Sequence, residues 1–276
     1  MNKHVVWAIA KKDMKSITSN SQVWIGFIIT PILFCIILPA GMILAAKYLP
    51  VTDSNLIQML HKILKSLPEG ATRQKIESIN KVNYQLIYIF INYLLGSLFL
   101  MIPCLNSMMI AVNSFVSEKE GRTLESLLFA PISVKELFVG KMLASFVPVM
   151  ALTIGSFLCF VLITDVLTYS MFDSPILPNL NWILLIFWLS PIIAILTILF
   201  SVIVSAKVQS FQAAQQLGSL IVIPILLILV SQATGFLILQ PYIVFIIGFA
   251  LLILCFFLFK RITKFNNRNL LFENQI

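Results

Sequence analysis

The chain has 276 residues, of which 59% are apolar and only 11% are charged. That charged share is roughly half the average for soluble proteins, and no soluble domain of this length could bury so much apolar surface. The composition therefore predicts an integral membrane protein. The net charge of +8 does not indicate nucleic-acid binding, because Lys and Arg cluster at the ends of apolar segments, where they meet lipid headgroups.

Residues 1–22 predict an amphipathic helix at the membrane interface. Its apolar face consists of residues at helical spacing, namely Val6, Ile9, Ala10, Met14 and Ile17. The first long apolar run begins only near Val23, so we expect no cleavable signal peptide. Asp13 interrupts the apolar face, and it either contacts another part of the protein or lies at the edge of the headgroups.

Six apolar segments are long enough to cross a bilayer as helices of about 20 residues. The first four are expected at about residues 23–46, 86–117, 142–164 and 182–206. The fifth and sixth share the uncharged stretch between Lys207 and Lys260, which is longer than two spans need. We therefore predict a short re-entrant or interfacial piece near residues 231–241, where helix continuity is weakest.

The distribution of basic residues predicts that both termini face the cytoplasm. In that orientation the inner segments carry 13 of the 19 Lys and Arg residues, and the six outer ones all lie between Lys47 and Lys81. The predicted fold class is an all-α integral membrane protein with six transmembrane helices, N-in and C-in, forming one domain over residues 1–276. We expect a multi-pass protein of a bacterial plasma membrane, since the chain is rich in Ile, Lys, Asn and Phe.

The long loop at residues 47–85 is predicted to be extracellular and partly helical. Apolar residues recur in it at helical spacing, namely Leu56, Met59, Leu60, Ile63, Leu64 and Leu67. Lys62 and Lys65 fall on other faces. The resulting amphipathic helix either lies on the outer leaflet or covers the mouth of a transport path.

Residues 118–133 are a dense charged segment between two uncharged spans. Gly121 weakens the helix that leaves span two, and Pro131 ends the short helix that follows. That short helix carries an apolar stripe of Leu124, Leu127 and Leu128. The stripe either docks into a groove of a soluble partner or dips into the headgroups, and the acidic Glu118, Glu120 and Glu125 favour the partner. Ser133 and Glu136 then form a capping box that begins the next helix.

These motifs resemble those of the ABC type-2 exporter permeases. The resemblance rests on Glu-Lys-Glu at 118–120, Thr-Leu-Glu-x-Leu-Leu at 123–128, Pro-Ile-Ser at 131–133 and Gly140-Lys141. It continues in Lys12-Asp13 and in Ala-Gln-Gln-Leu-Gly at 214–218 followed by Pro224. The resemblance covers nearly the whole chain.

Membership of that family would make residues 118–133 a cytoplasmic coupling helix seated in a groove of an ATP-binding subunit. The implied coupling residues are Glu118, Lys119, Glu120, Thr123, Leu124, Glu125, Leu127, Leu128 and Pro131. The implied assembly has two ATP-binding subunits and a second permease subunit, identical or related. ATP and Mg would be bound by the partner, with no cofactor on this chain. The implied cargo is amphipathic or hydrophobic, such as a peptide, toxin or drug, and the alternative is sodium.

No catalytic or metal-binding pattern is recognisable in the sequence. There is no phosphate-binding Gly-x-x-x-x-Gly-Lys-Ser/Thr motif, so ATP hydrolysis would need another chain. No charged residue lies in the middle of a span, which disfavours an ion-coupled carrier. The four cysteines lack the spacing of a metal site or disulfide framework. A stand-alone carrier or channel, and a membrane scaffold or immunity-type protein, remain the alternatives.

Two spans carry polar or small residues along one face. Asn92, Asn106 and Asn113 share a face of span two, and a second set forms a stripe on span four, namely Ser190, Ala194, Thr197, Ser201 and Ser205. Such stripes indicate close helix packing. Alternatively, the asparagines of span two line a translocation path at an interface between two permeases.

Overall fold

The computed structural model describes residues 2–19, 21–48, 54–66, 71–79, 81–120, 133–208, 210–236 and 238–264. These residues form helices and no strand, and six of the helical segments are long and apolar enough to cross a membrane. The predicted all-α membrane fold with six spans is therefore confirmed. Within the described ranges, three further helices lie outside the spans: α1 (Lys3–Ser19), α2 (Ser54–Ser66) and α3 (Ala71–Glu77).

Four of the six spans contain a turn of π- or 3₁₀-helix. Span one runs through Ser21–Pro31, Ile32–Ile37 (π) and Leu38–Tyr48, and span two through Val82–Ile89, Phe90–Leu94 (π), Leu95–Phe99 and Met101–Glu120. Span three is the single helix Val134–Phe172, and span four is Leu180–Leu184, Leu185–Leu189 (π) and Ser190–Lys207. Span five is Phe211–Gly218, Ser219–Val222 (3₁₀) and Ile223–Ala233, and span six is Pro241–Lys264.

Span three is longer than the sequence predicts. Its 39 residues measure about 58 Å at 1.5 Å per residue, well beyond the ~30 Å hydrocarbon core. We expected the span to end near Thr164, before Asp165. That carboxylate instead accepts hydrogen bonds from the backbone N–H groups of Ile176 and Leu177, at 3.0 and 3.1 Å. The Asp165 carboxylate therefore binds the segment that follows span three, and the helix continues past Asp165 to Phe172.

Spans two and four form the centre of the bundle. In their most apolar windows 67% and 56% of residues are buried, against 17–28% in the other four spans. Trp182 of span four is fully buried against Phe99 of span two, with ring centroids 5.4 Å apart, and its indole N–H donates to the carbonyl of Ile91. The small-residue stripe of span four is buried throughout, which agrees with close packing.

The bundle has two distinct ends. Ile262 near the end of span six packs in one cluster with Met142 near the start of span three, and α1 packs on the same part of span three. We call this the terminal end, and the opposite one, with α2 and α3, the far end.

At the far end, the apolar face of α2 packs on protein. Leu60, Ile63 and Leu64 are buried in a cluster with Tyr88 of span two and Ile238 of the connection between spans five and six. The helix therefore packs on the protein through its apolar face, and its covering of a transport path stays a prediction. The 5–6 connection was expected to contain a short re-entrant or interfacial piece. Its described residues, 234–236 and 238–240, form turns and irregular chain and no helix, and Ile238 and Leu239 among them are buried.

Candidate functional site

The predicted coupling segment lies mostly outside the described residues. Of its members, Thr123, Leu124, Glu125, Leu127, Leu128 and Pro131 fall in the undescribed range 121–132. Glu118, Lys119 and Glu120 occupy the last turn of the helix Met101–Glu120. The structure does describe the two helix ends that hold this segment, namely the end of span two and the start of span three.

Span three begins with the predicted capping box. The Ser133 hydroxyl accepts from the Glu136 N–H at 3.3 Å, and a Glu136 carboxylate oxygen accepts from the Ser133 N–H at 3.0 Å. The other carboxylate oxygen accepts from the Asn2 N–H at 2.6 Å. One side chain thus fixes the first turn of span three and joins it to the start of α1.

Further along, three side chains form a buried polar contact that we call the junction cluster: Asp13 of α1, Ser114 of span two and Lys141 of span three. The Lys141 ammonium lies 3.3 Å from the Asp13 carboxylate and donates to the Ser114 carbonyl at 2.7 Å. The Ser114 hydroxyl donates to Asp13 at 2.7 Å. The Lys141 side chain is 1% exposed and that of Asp13 is 8% exposed. Burial of this ion pair is tolerable because each charge has further hydrogen bonds.

The close approach of α1 to span three depends on Gly140. A Cβ at this position would lie 2.9 Å from the Ile9 side chain and 3.1 Å from the Val6 carbonyl oxygen, so no larger residue fits without movement of α1. Val6, Ala10 and Ile17 of α1 are buried. These contacts are shared by α1, the end of span two and the start of span three. The three elements therefore form one packed unit, which includes the helices that precede and follow residues 121–132.

The three asparagines of span two lie at different levels. Asn92 and Asn106 are 14 residues apart, which corresponds to about 21 Å along a helix. Asn92 accepts from the Asn179 amide and is 3% exposed, while Asn106 donates to the Thr30 hydroxyl of span one at 2.8 Å and is 1% exposed. Asn113 is also buried. Each contact is therefore made inside the subunit, and the three side chains do not converge on one site.

Sequence reasoning missed two polar contacts. It counted Lys141 among the basic residues of a loop and as part of a motif, but it did not pair Lys141 with Asp13, since 128 residues separate them. It also treated Gln232 only as a sign of a helix break. Gln232 is 1% exposed and accepts a hydrogen bond from the Ser97 hydroxyl of span two. A lone Gln inside a long apolar stretch was the available signal, because a buried amide needs partners.

Six helices long and apolar enough to cross a membrane, joined at one end by a buried ion pair and a capped helix start, define a polytopic membrane protein. Comparison with known protein families identifies the kind of membrane protein. The chain belongs to the family described as ABC-2 family transporter protein, whose profile matches residues 7–268. No curated protein matches the chain. It is thus a multi-pass membrane permease of an ABC transporter, a transport subunit of a family that works with an ATP-binding subunit.

Proposed function

We propose that this permease exports an amphipathic or hydrophobic cargo, such as a peptide, toxin or drug, out of a bacterial cell. The energy comes from ATP hydrolysis, with ATP and Mg bound by a separate subunit present in two copies. A second permease subunit, identical or related, completes the assembly. The junction cluster at the two helix ends beside residues 118–133 is the observation that supports this proposal.

The proposed coupling runs through the packed unit at the terminal end. Closure of the nucleotide sites pushes on residues 118–133, and the apolar stripe of Leu124, Leu127 and Leu128 transmits the push. The capping box and the Lys141–Asp13 pair support this route, because they prevent the start of span three from bending independently of α1. Packed helices move as rigid bodies, so span three and α1 shift together.

The cargo path is proposed to follow the polar face of span two, past Asn92, Asn106 and Asn113. In the subunit this face is covered by the start of span four at Asn92 and by span one at Asn106. The proposed path, at the interface between two permeases, opens only when those spans move away from span two. The exposed apolar faces of the outer spans suit a cargo that enters sideways from the lipid.

The decisive experiment is affinity purification of the tagged permease from its native membrane. The proteins that co-purify with the permease are then identified by mass spectrometry. We expect a P-loop ATPase to co-purify, and to be lost when Leu124, Leu127 and Leu128 are all replaced by Ala. In vesicles, that variant should keep its fold but lose the link between ATP hydrolysis and transport. Unchanged, ATP-linked export by the triple variant would refute the coupling role. A requirement for an ion gradient without ATP would instead favour a stand-alone carrier.

A further inference from the structure

A cavity lies at the far end of the subunit, opposite the junction cluster. Its volume is about 390 Å³, within the usual range of small-molecule sites. It is enclosed by α3, the chain that leads into span two, and the last turn of span three with the residues that follow. Basic, aromatic and apolar side chains share the lining, among them Lys75, Lys81, Tyr84, Tyr88, Phe172 and Ile176.

The cavity carries positive charge that the described part of the protein does not neutralise. The Lys75 ammonium lies 5.6 Å from the centre of the Tyr88 ring, and the Lys81 ammonium lies 5.0 Å from that of Tyr84. Such contacts hold a cation in place without cancelling its charge. Neither lysine forms an ion pair with any residue that the structure describes. Asp173 is the one carboxylate among the described lining residues, which leaves that described lining with a net positive charge.

The cavity stands at the height of lipid headgroups. From Lys141 at the terminal end to Phe172 the helix rises by about 46 Å, whereas the hydrocarbon core is ~30 Å thick. If Lys141 lies at or within the inner boundary of that core, Phe172 lies outside the hydrocarbon on the opposite side. With the termini inside, as the basic residues predict, the cavity opens in the outer headgroup layer.

An exposed apolar stripe of span three leads to the cavity. Its residues are spaced by three or four along one helix face and are 58–76% exposed, namely Leu158, Leu162, Val166 and Tyr169. Asp173 at the cavity rim is the next position in this series. An acyl chain that lies along the stripe would bring its headgroup to the two lysines.

We propose that this cavity binds the phosphate headgroup of an anionic phospholipid from the outer leaflet. The phosphate accepts hydrogen bonds from Lys75 and Lys81, and the lipid tail follows the stripe of span three. A free phosphate would make no use of the apolar walls at Met171, Phe172 and Ile176. A zwitterionic lipid would bring its own cation against the lysines. Lipid binding also accounts for basic residues on the outer side, where the positive-inside rule disfavours them.

The test is native mass spectrometry of the purified full chain, titrated with phosphatidylglycerol, phosphatidylcholine or inorganic phosphate. We expect Lys75→Ala/Lys81→Ala, which removes two charge-assisted hydrogen bonds made by exposed side chains, to weaken phosphatidylglycerol binding at least about tenfold in total. The matched control is Lys62→Ala/Lys65→Ala, which removes the same charge from α2 of the same loop, and neither residue is among the described lining residues of the cavity. It should bind phosphatidylglycerol like the unmodified protein. Lys75→Arg/Lys81→Arg keeps the charge and should retain binding.

Several results would overturn the site. Equal binding by the alanine variant would exclude the two lysines, and an equal loss in the control would reduce the effect to the overall charge of the loop. Phosphatidylcholine binding as tight as phosphatidylglycerol binding, or displacement of the lipid by millimolar phosphate, would refute an anionic lipid as the occupant. The arginine variant keeps both positive charges, so loss of phosphatidylglycerol binding in that variant would show that positive charge alone does not produce the binding. Because neither cargo nor ATP enters this measurement, its outcome is separate from that of the export proposal.

Discussion

The ion pair between Asp13 and Lys141 gives the sharpest test of the terminal end. Lys141→Met keeps the aliphatic stem and removes the ammonium, which donates to the Ser114 carbonyl at 2.7 Å and lies 3.3 Å from Asp13. The Asp13 carboxylate then stays buried with the Ser114 hydroxyl as its remaining donor in the cluster. Loss of one partner of a buried pair costs about 3–5 kcal/mol, so we expect the free energy of unfolding to fall by that amount.

The double variant Asp13→Asn/Lys141→Met separates this explanation from a simple loss of packing. It removes both charges, and the amide that replaces the carboxylate still accepts from the Ser114 hydroxyl. Replacement of a buried ion pair by neutral groups of similar size is often close to neutral in stability. We therefore expect the double variant to be more stable than Lys141→Met alone, with a coupling free energy of at least about 2 kcal/mol.

The assay is reversible unfolding of the purified chain in mixed micelles with increasing SDS, followed by far-UV circular dichroism. The four proteins of the cycle are the unmodified chain, the two single variants and the double variant. Losses that simply add would refute an energetic link between the two charges. Such a result would also remove one of the reasons for treating α1 and span three as one unit, and leave the Asn2–Glu136 hydrogen bond and the packing at Gly140 as the others.

Three further variants, one of them a control, test contacts with the same assay. Gly140→Ala places a Cβ 2.9 Å from Ile9 and should lower the free energy of unfolding by about 1–3 kcal/mol through displacement of α1. The control is Gly155→Ala, whose Cβ meets nothing within 4 Å. Its effect on stability should be neutral or slightly stabilising. Equal effects of the two would contradict the close approach. Ser97→Ala leaves the buried Gln232 oxygen without its hydroxyl donor and should cost about 1–3 kcal/mol; unchanged stability would mean that water or another group satisfies the amide.

The sequence predicts features that depend on residues close together in the chain, and it does not predict contacts between distant residues. The six spans follow from long apolar runs, and the start of span three follows from a local pattern, because Ser133 and Glu136 are three residues apart and bond to each other. The pairing of Asp13 with Lys141 has no such signal. The position of Asp13 on an apolar face indicated only that the carboxylate needed a partner, and either lipid headgroups or protein could have supplied one.

The errors have a similar cause. Asp165 ends the apolar run of span three, yet its carboxylate is used by backbone N–H groups 11 and 12 residues later, so hydropathy places the end of the helix too early. Gln232, by contrast, lies in the last turn of span five, one residue before the helix ends at Ala233, so the loss of helix continuity there is predicted correctly. Hydropathy does not show that Ser97 on another helix satisfies the Gln232 side chain. A buried polar group needs a partner, but a partner far along the chain leaves no local signal in the sequence.

The unequal burial of the spans indicates which parts of the subunit can move. A shift of spans two or four would disrupt packed contacts over more than half of each helix, and dense interiors resist such changes. Span three is only 28% buried in its apolar window, so most of its surface slides against lipid at little cost. Its first turn adjoins residues 118–132, and Phe172 at its other end lines the cavity. A rigid displacement of this helix together with α1 would therefore carry motion from the terminal end to the far end first, before the start of span four separates from span two to open the proposed path.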